Sequence, residues 1–302
     1  MELTTVELFA GIGGFRLAAD NNKFRTVWAN EIEPKACSVY RDQFGTKELV
    51  EGDIRKWKQD IPAHDVLTGG FPCQPFSSAG KKEGTRDPRG TLFQEIVDVI
   101  KARQPQYFVL ENVKRLLSME KGKHFATIIS SLADLNYGIE WRLLNAVHFA
   151  LPQNRQRVFL IGTRLDQCKA DLPNARLVSS IDLAGMTDRQ QDLARDSSNW
   201  KPIAKHTSGF QHWGIATNGR FFAVDLDNFS EQSKVVPVRS VLQRDVSDEF
   251  DFTDSTLKWL SNNSEVNKYV GGVEIISNQA GGARMGYTIF GINGVAPTLT
   301  ST

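Results

Sequence analysis

Short apolar runs alternate with amphipathic stretches through the first 165 residues. TTVELF (4–9) reads as a buried strand running into AGIGGFRLAAD, a glycine turn that opens a helix. RTVWANE (25–31) predicts a second strand, and PKACSVYRDQF the helix after it. ELVEGDI (48–54) predicts a third strand end, HDVLTGG (64–70) a fourth strand and QYFVLENV (106–113) a fifth. TLFQEIVDVIKARQP (91–105) has helical periodicity and stops at Pro105. A helix near 122–135 and strands at 139–145 and 157–163 complete the series. Repeated βα units predict an α/β fold with a mostly parallel sheet, covered by helices on both faces. Such sheets bind ligands at the carboxyl ends of their strands, and Gly11, Glu31, Asp53, Cys73 and Glu111 all fall there.

The pattern changes after about residue 182. Gly, Ser, Asn and Asp clusters separate short strand-like runs (GRFFAVDL, SKVVPV, VEIIS), and helical periods are few. This predicts a catalytic domain over 1–182 and a second, smaller, loop-rich domain over 183–302. Internal repeats and low-complexity tracts are absent from the sequence.

Composition narrows the class. The 302 residues are 40% hydrophobic and 24% charged, as expected of a folded soluble protein, and no stretch has the roughly 20 apolar residues of a membrane span. The N-terminus MELTTVELF has no basic flank and no signal-peptide core, which points to the cytoplasm. A formal charge of +1 gives no global field, although a local patch can still bind nucleic acid. The three cysteines, Cys37, Cys73 and Cys168, are odd in number and widely spaced. They fit reduced thiols better than a disulfide framework, and no metal-ligand spacing occurs.

The glycine turn ELFAGIGGF begins like a dinucleotide fingerprint, but Arg16 stands where the third glycine belongs. Two acids redirect the reading. A carboxylate ending the second strand, Glu31, can accept both hydroxyls of a ribose; one ending the third, Asp53, can accept an adenine amino group. Each alone also fits a helix cap or a solvated charge. As a series they describe a pocket for an adenosine compound that need not carry phosphate, and S-adenosylmethionine fits.

Cys73 is set between two prolines in GGFPCQPFSSAG, directly after a predicted strand. Prolines fix the backbone, and the glycines before it permit close approach by a ligand. A nucleophile would be presented here. Carbon 5 of cytosine is too weak a nucleophile to take a methyl group from a sulfonium. A thiolate adding to carbon 6 makes the ring an enamine, provided an acid sits at ring nitrogen 3 and a donor at the carbonyl oxygen. Glu111 in LENV can supply the acid, in protonated form at least in the transition state. Arg157 or Arg155 in QNRQRVFLIG can supply the donor and help hold Glu111.

Taken in order, ELFAGIGGF, NEIEP, GDI, GGFPCQPFS, ENV and QNRQRVF resemble the motif series of the DNA (cytosine-5)-methyltransferases, over nearly all of residues 3–163. The resemblance implies a Rossmann-like S-adenosylmethionine-dependent methyltransferase domain, a smaller target-recognition domain, and a cytosine flipped out of double-stranded DNA. By motif position it implies Cys73 as nucleophile, Glu111 at nitrogen 3, and Arg157, with Arg155 beside it, at the cytosine carbonyl. It implies a cofactor pocket of Phe9, Gly11, Gly13, Gly14, Glu31, Ile32, Asp53, Ile54, Pro72 and Leu92. Gln74, Ser77, Lys81 and Arg89 are the implied substrate contacts, and no metal is implied. The KKEGTRDPRG run (81–90), four basic residues against two acidic, reads as a loop closing over DNA phosphates.

Three other readings remain: an RNA cytosine-5 methyltransferase of the same chemistry, a non-catalytic DNA-binding protein that kept the fold, and a NAD-dependent dehydrogenase. Gln74 after the Pro-Cys pair disfavours the first, the presence of Cys73, Glu111 and Arg157 the second, and Arg16 the third. Bacterial restriction–modification, acting on nucleoid DNA, is the setting the family implies. Two later family motifs are not found after NGVAPTLTST. Residues 183–302 also hold 11 Lys/Arg against 13 Asp/Glu, a net of −2. Both facts lead to the expectation of a second polypeptide that supplies the remaining motifs.

Overall fold

The computed structural model describes residues 2–72, 92–165, 186–226, 235–262, 266–279 and 287–298. Apolar alternation and glycine turns generate the first half of the fold. Strand β1 (Thr4–Leu8) is buried over its last four residues and is followed by helix α1 (Gly14–Asn21). Then come β2 (Arg25–Glu31), α2 (Pro34–Phe44), β3 (Leu49–Glu51), the one-turn α3 (Ile54–Trp57) and β4 (Val66–Gly70). Helix α4 (Leu92–Arg103), β5 (Tyr107–Val113), α5 (Lys123–Ala133), β6 (Tyr137–Asn145) and β7 (Gln156–Arg164) follow.

These strands lie in one ten-stranded sheet, in the order β3-β2-β1-β4-β5-β7-β6-β9-β10-β8. The added strands are β8 (Lys201–Pro202), β9 (Trp213–Thr217) and β10 (Arg220–Val224). Neighbours from β3 to β5 are parallel. The β5–β7, β6–β9, β9–β10 and β10–β8 pairs are antiparallel. A mostly parallel sheet was the expectation; parallel pairing covers only half of it. The physical reason is the connections: β6–β7 and β9–β10 are joined too briefly for a crossover, so each pair reverses direction. In the parallel half the chain moves outward from β1 in one direction to β3 and in the other to β5. Right-handed crossovers then put their helices on opposite faces, and the reversal beside β1 opens the crevice where such sheets bind ligands. This is the Rossmann-like α/β architecture.

The main apolar cluster lies on this sheet, with Leu8, Leu67, Phe108, Leu110, Phe125 and Trp141 among its fully buried members, and smaller clusters gather around Trp200 and Trp213 and around Ala29 and Tyr40. Buried Glu140 on β6 is satisfied there by an ion pair with Arg142 and by the Trp213 indole N–H at 3.0 Å.

The chain divides into two compact units, residues 1–143 with 157–228, and residues 144–156 with 229–302. The first holds the large sheet and α6 (Asp188–Arg195), whose first turn is closed by a Thr187–Gln190 capping box. The second holds α7 (Asp254–Asn262) and a three-stranded antiparallel sheet of β11 (Lys268–Val270), β12 (Val273–Asn278) and β13 (Thr288–Phe290), in the order β11-β12-β13. The run SKVVPV, expected as a strand, forms none over its described residues; a 3-10 turn starts after Pro237, because proline cannot donate to a ladder. Among the described residues no helix is long and apolar enough to cross a membrane.

Candidate active site

The glycine turn after β1 is built by left-handed backbone. Phe9, Gly11 and Gly13 have φ of 54°, 57° and 89°. Gly13 is the N-cap of α1 and has no room for a side chain: a Cβ would lie 2.2 Å from the Phe44 ring of α2. At Gly11 and Gly14 a Cβ would meet nothing within 4 Å. The turn is therefore pressed against α2 at Gly13 and open at Gly11, the shape that lets a ligand approach backbone.

Glu31 fixes this turn. Its Oε2 accepts the Gly11 N–H at 2.7 Å, and its Oε1 accepts the Ile32 and Glu33 N–H groups, both at 2.8 Å. The residue is buried, whereas Ile32 beside it is 62% exposed. Asn30 ties the same strand end to β3 through Val50 and Gly52 carbonyls at 2.8 and 3.0 Å. Asp53 caps α3 by accepting the Arg55 N–H at 3.0 Å, and it pairs with the Arg55 side chain, Nε lying 2.9 Å from both oxygens. That hydrogen-bonded guanidinium holds the Asp53 carboxyl below its ordinary range. The Ile54 side chain is buried in the core cluster, and Leu92 packs against that cluster from the start of α4.

At the next strand ends, parallel register sets Gly70 of β4 beside Glu111 of β5. A Cβ on Gly70 would stand 3.4 Å from Glu111 Oε2, so the glycine leaves the carboxylate room. Arg157 reaches Glu111 from β7: its Nε lies 2.8 Å from Oε1. The antiparallel register pairs Glu111 with Phe159 and Val113 with Arg157, which makes Glu111 and Arg157 a diagonal pair on one face. Both side chains are mostly shielded, with relative exposures of 23% and 16%.

Exposed Pro72 closes the described part of this stretch. The predicted nucleophile Cys73, the substrate contacts Gln74, Ser77, Lys81 and Arg89, the 81–90 loop and Cys168 lie outside the described residues. Cys37 is a buried free thiol. Arg155 belongs to the second compact unit, where its N–H donates to Asn145 Oδ1 at 3.0 Å. Among the described residues no group of His, Cys, Asp and Glu is arranged to hold a metal.

Two contributors escaped the sequence reading. Asn112 is buried and donates its Nδ2 to the Phe71 carbonyl at 2.9 Å, anchoring the backbone two residues before Cys73. Its place beside Glu111 in ENV was the available signal. Glu7 on β1 accepts the Arg16 N–H of α1 at 3.3 Å and the Tyr40 hydroxyl at 3.3 Å. It supplies the helix N-terminus with the acceptor that Gly13 lacks. Burial pushes its carboxyl up to about 7. An acid inside an apolar strand was the visible sign.

Several known proteins are similar to this chain in sequence. Type II methyltransferase M1.ScrFI of Lactococcus lactis subsp. cremoris is 48% identical over 159 residues, covering 52% of this chain and 40% of that protein. M.NgoBI of Neisseria gonorrhoeae is 44% identical over 159 residues, covering 52% and 50%. M.HaeII of Haemophilus aegyptius is 44% identical over 173 residues, covering 57% and 54%. The chain thus spans about half the length of the curated relatives it matches. The family model for C-5 cytosine-specific DNA methylase matches residues 3–269. With its motif residues gathered at the carboxyl ends of β1 to β5, this chain belongs to the C-5 cytosine-specific DNA methylase family.

Proposed function

We propose that the chain is a DNA (cytosine-5)-methyltransferase that uses S-adenosylmethionine, acting in the bacterial cytoplasm on nucleoid DNA as the modification arm of a restriction–modification system. The Glu111–Arg157 pair carries the reading. A carboxyl group and a guanidinium, 2.8 Å apart at adjacent strand ends, match the ring nitrogen 3 and the carbonyl oxygen of one cytosine. They stand beside the strand that leads into Cys73.

The adenosine pocket fits the residues present. Glu31 Oε2 takes one backbone donor, which leaves acceptor capacity for a ribose hydroxyl. Exposed Ile32 offers an apolar face for a purine ring. Asp53 is engaged with Arg55, but an exposed pair of this kind is worth less than about 1 kcal/mol, so an adenine amino group can displace it. When bound, S-adenosylmethionine supplies the methyl group. Cys73 adds as thiolate to carbon 6, Glu111 gives its hydrogen to nitrogen 3, and Arg157 holds the carbonyl oxygen and the carboxyl. Carbon 5 becomes nucleophilic and takes the methyl group; its proton then passes to water as the Cys73 thiolate leaves carbon 6 and nitrogen 3 returns its hydrogen to Glu111, which restores the ring. The cytosine must leave the stack first, because carbon 6 is attacked perpendicular to the ring.

The test is transfer of labelled methyl groups to duplex DNA and to tRNA. Duplex DNA is the expected acceptor, with Cys73→Ser inactive and Glu111→Gln slower by about 10²–10⁴-fold. Parental turnover by Cys73→Ser, or transfer to tRNA alone, overturns the reading. The reading includes a second polypeptide, supported by the net charge of −2 over residues 183–302; adding it should raise the rate in the same assay.

A further inference from the structure

Asn154, inside QNRQR, uses all four of its polar groups. Its backbone N–H donates to the Ala296 carbonyl at 2.8 Å. Its backbone carbonyl accepts the Thr298 hydroxyl at 2.8 Å. In the side chain, Oδ1 accepts Asn145 Nδ2 at 3.0 Å and Nδ2 donates to the Gly271 carbonyl at 2.8 Å. One residue thus joins three segments: the far side of its own hairpin, the β11–β12 turn 117 positions away, and the stretch 296–298.

A second observation shows that the contact is built. Gly271 has φ of 55°, and a Cβ there would lie 2.7 Å from Asn154 Nδ2. A side chain at 271 would push the Asn154 amide from its present place. The surroundings reinforce the joint: Ala296 donates to the Pro152 carbonyl at 2.7 Å, Val295 to the Gly272 carbonyl at 2.9 Å, and Gln153 bridges Ala296.

The boundary between the two compact units falls between Gln156 and Arg157, inside the motif. Asn154 therefore belongs with the C-terminal unit, while Arg157, three residues on, holds Glu111. We propose that Asn154 is a positioning residue for target recognition: it makes the loop entering β7, the β11–β12 turn and residues 296–298 one body, so that DNA held by that body sets where β7 begins. The inference rests on the methyltransferase reading above. It assigns Asn154 to DNA capture rather than to the chemical step, since it touches no reacting group.

The test compares Asn154→Ala, Asn154→Asp, Gly271→Ala and the double variant Asn154→Ala/Gly271→Ala with the parental protein. Two readouts are used: steady-state methylation of plasmid DNA, and amide hydrogen exchange over residues 266–279 and 287–298. Asn154→Ala should raise KM for DNA about tenfold, which corresponds to about 1.4 kcal/mol, with kcat changed less than about threefold. Asn154→Asp should do the same, because it keeps the acceptor toward Asn145 but loses the donor toward Gly271. Gly271→Ala should shift KM in the same direction, and the double variant should be no worse than the worse single one. Exchange should speed up in both segments. Parental KM and parental exchange in Asn154→Ala, or fully additive effects in the double variant, overturn the proposal. A loss of kcat with KM unchanged also overturns it. If the parental protein methylates no DNA even with the second polypeptide added, the functional reading fails, while the exchange arm still decides whether Asn154 holds the three segments together.

Discussion

Glu7 shows what one buried side chain imposes on the site. It sits near the end of β1, before the glycine turn, nearly inaccessible, with the Arg16 N–H and the Tyr40 hydroxyl as donors. Desolvation lifts its carboxyl from the ordinary 4.5 to about 7, against the lowering effect of those hydrogen bonds. Between these two values the folded protein keeps a proton that the unfolded chain has released. The stabilisation is complete below about 4.5 and is lost as pH rises through about 7. Glu7→Gln keeps an acceptor for the Arg16 N–H and carries no charge. It should therefore gain stability over the parent at pH 8 relative to pH 4, by up to about 3 kcal/mol at roughly 1.4 kcal/mol per pKa unit. Urea unfolding at the two pH values measures this. Equal pH slopes in the two proteins would show that Glu7 does not titrate with folding.

The elements that place the site were legible where local chemistry dominates. The β1–α1 turn is spelled by glycines, two of them at positive φ, and each of Glu31, Asp53 and Glu111 falls where a βα alternation ends a strand. The same turn separates two kinds of glycine. Gly13→Ala drives a methyl group toward the Phe44 ring at 2.2 Å in a backbone with φ of 89°; Gly11→Ala enters open space and bears only the left-handed strain of about 1–2 kcal/mol. In thermal unfolding Gly13→Ala should be the more damaging by far. Gly11→Ala should fold near normally yet bind S-adenosylmethionine weakly in calorimetry, because its methyl group points where no protein atom lies. A Gly11→Ala protein with parental cofactor affinity would remove the turn from the pocket. Elsewhere local signals misled. WGIAT is not among the runs expected as strands, yet β9 is buried throughout because it pairs with β6 and β10. In SKVVPV, β-branched residues announce a strand that Pro237 prevents.

At the scale of the whole molecule, the sequence showed the chemistry better than its mounting. Asn154, Gly271 and Thr298 lie up to 144 positions apart, and nothing in their local sequence announces that they meet. The division between compact units inside QNRQR is equally a product of long-range pairing. Charge, by contrast, is legible from end to end and constrains how the DNA of the proposed reaction would be held. The chain carries 36 Lys/Arg against 35 Asp/Glu, and residues 183–302 carry a net of −2. Phosphate contacts must then be concentrated locally, and KKEGTRDPRG, with four basic residues in ten directly after the Cys73 stretch, is one candidate. Each phosphate contact contributes about −0.9 to the slope of log affinity against log salt. Replacing Lys81, Lys82, Arg86 and Arg89 together by Gln should therefore flatten that slope by about 3 to 4. Affinity should fall most at low salt, with unfolding unchanged, since surface substitutions of this kind seldom move stability by more than about 0.5 kcal/mol. Fluorescence anisotropy of a labelled duplex, titrated across a salt series, reads the slope directly. An unchanged slope in the fourfold variant would take the 81–90 stretch off the phosphates and leave the basic contacts to be sought elsewhere in the chain.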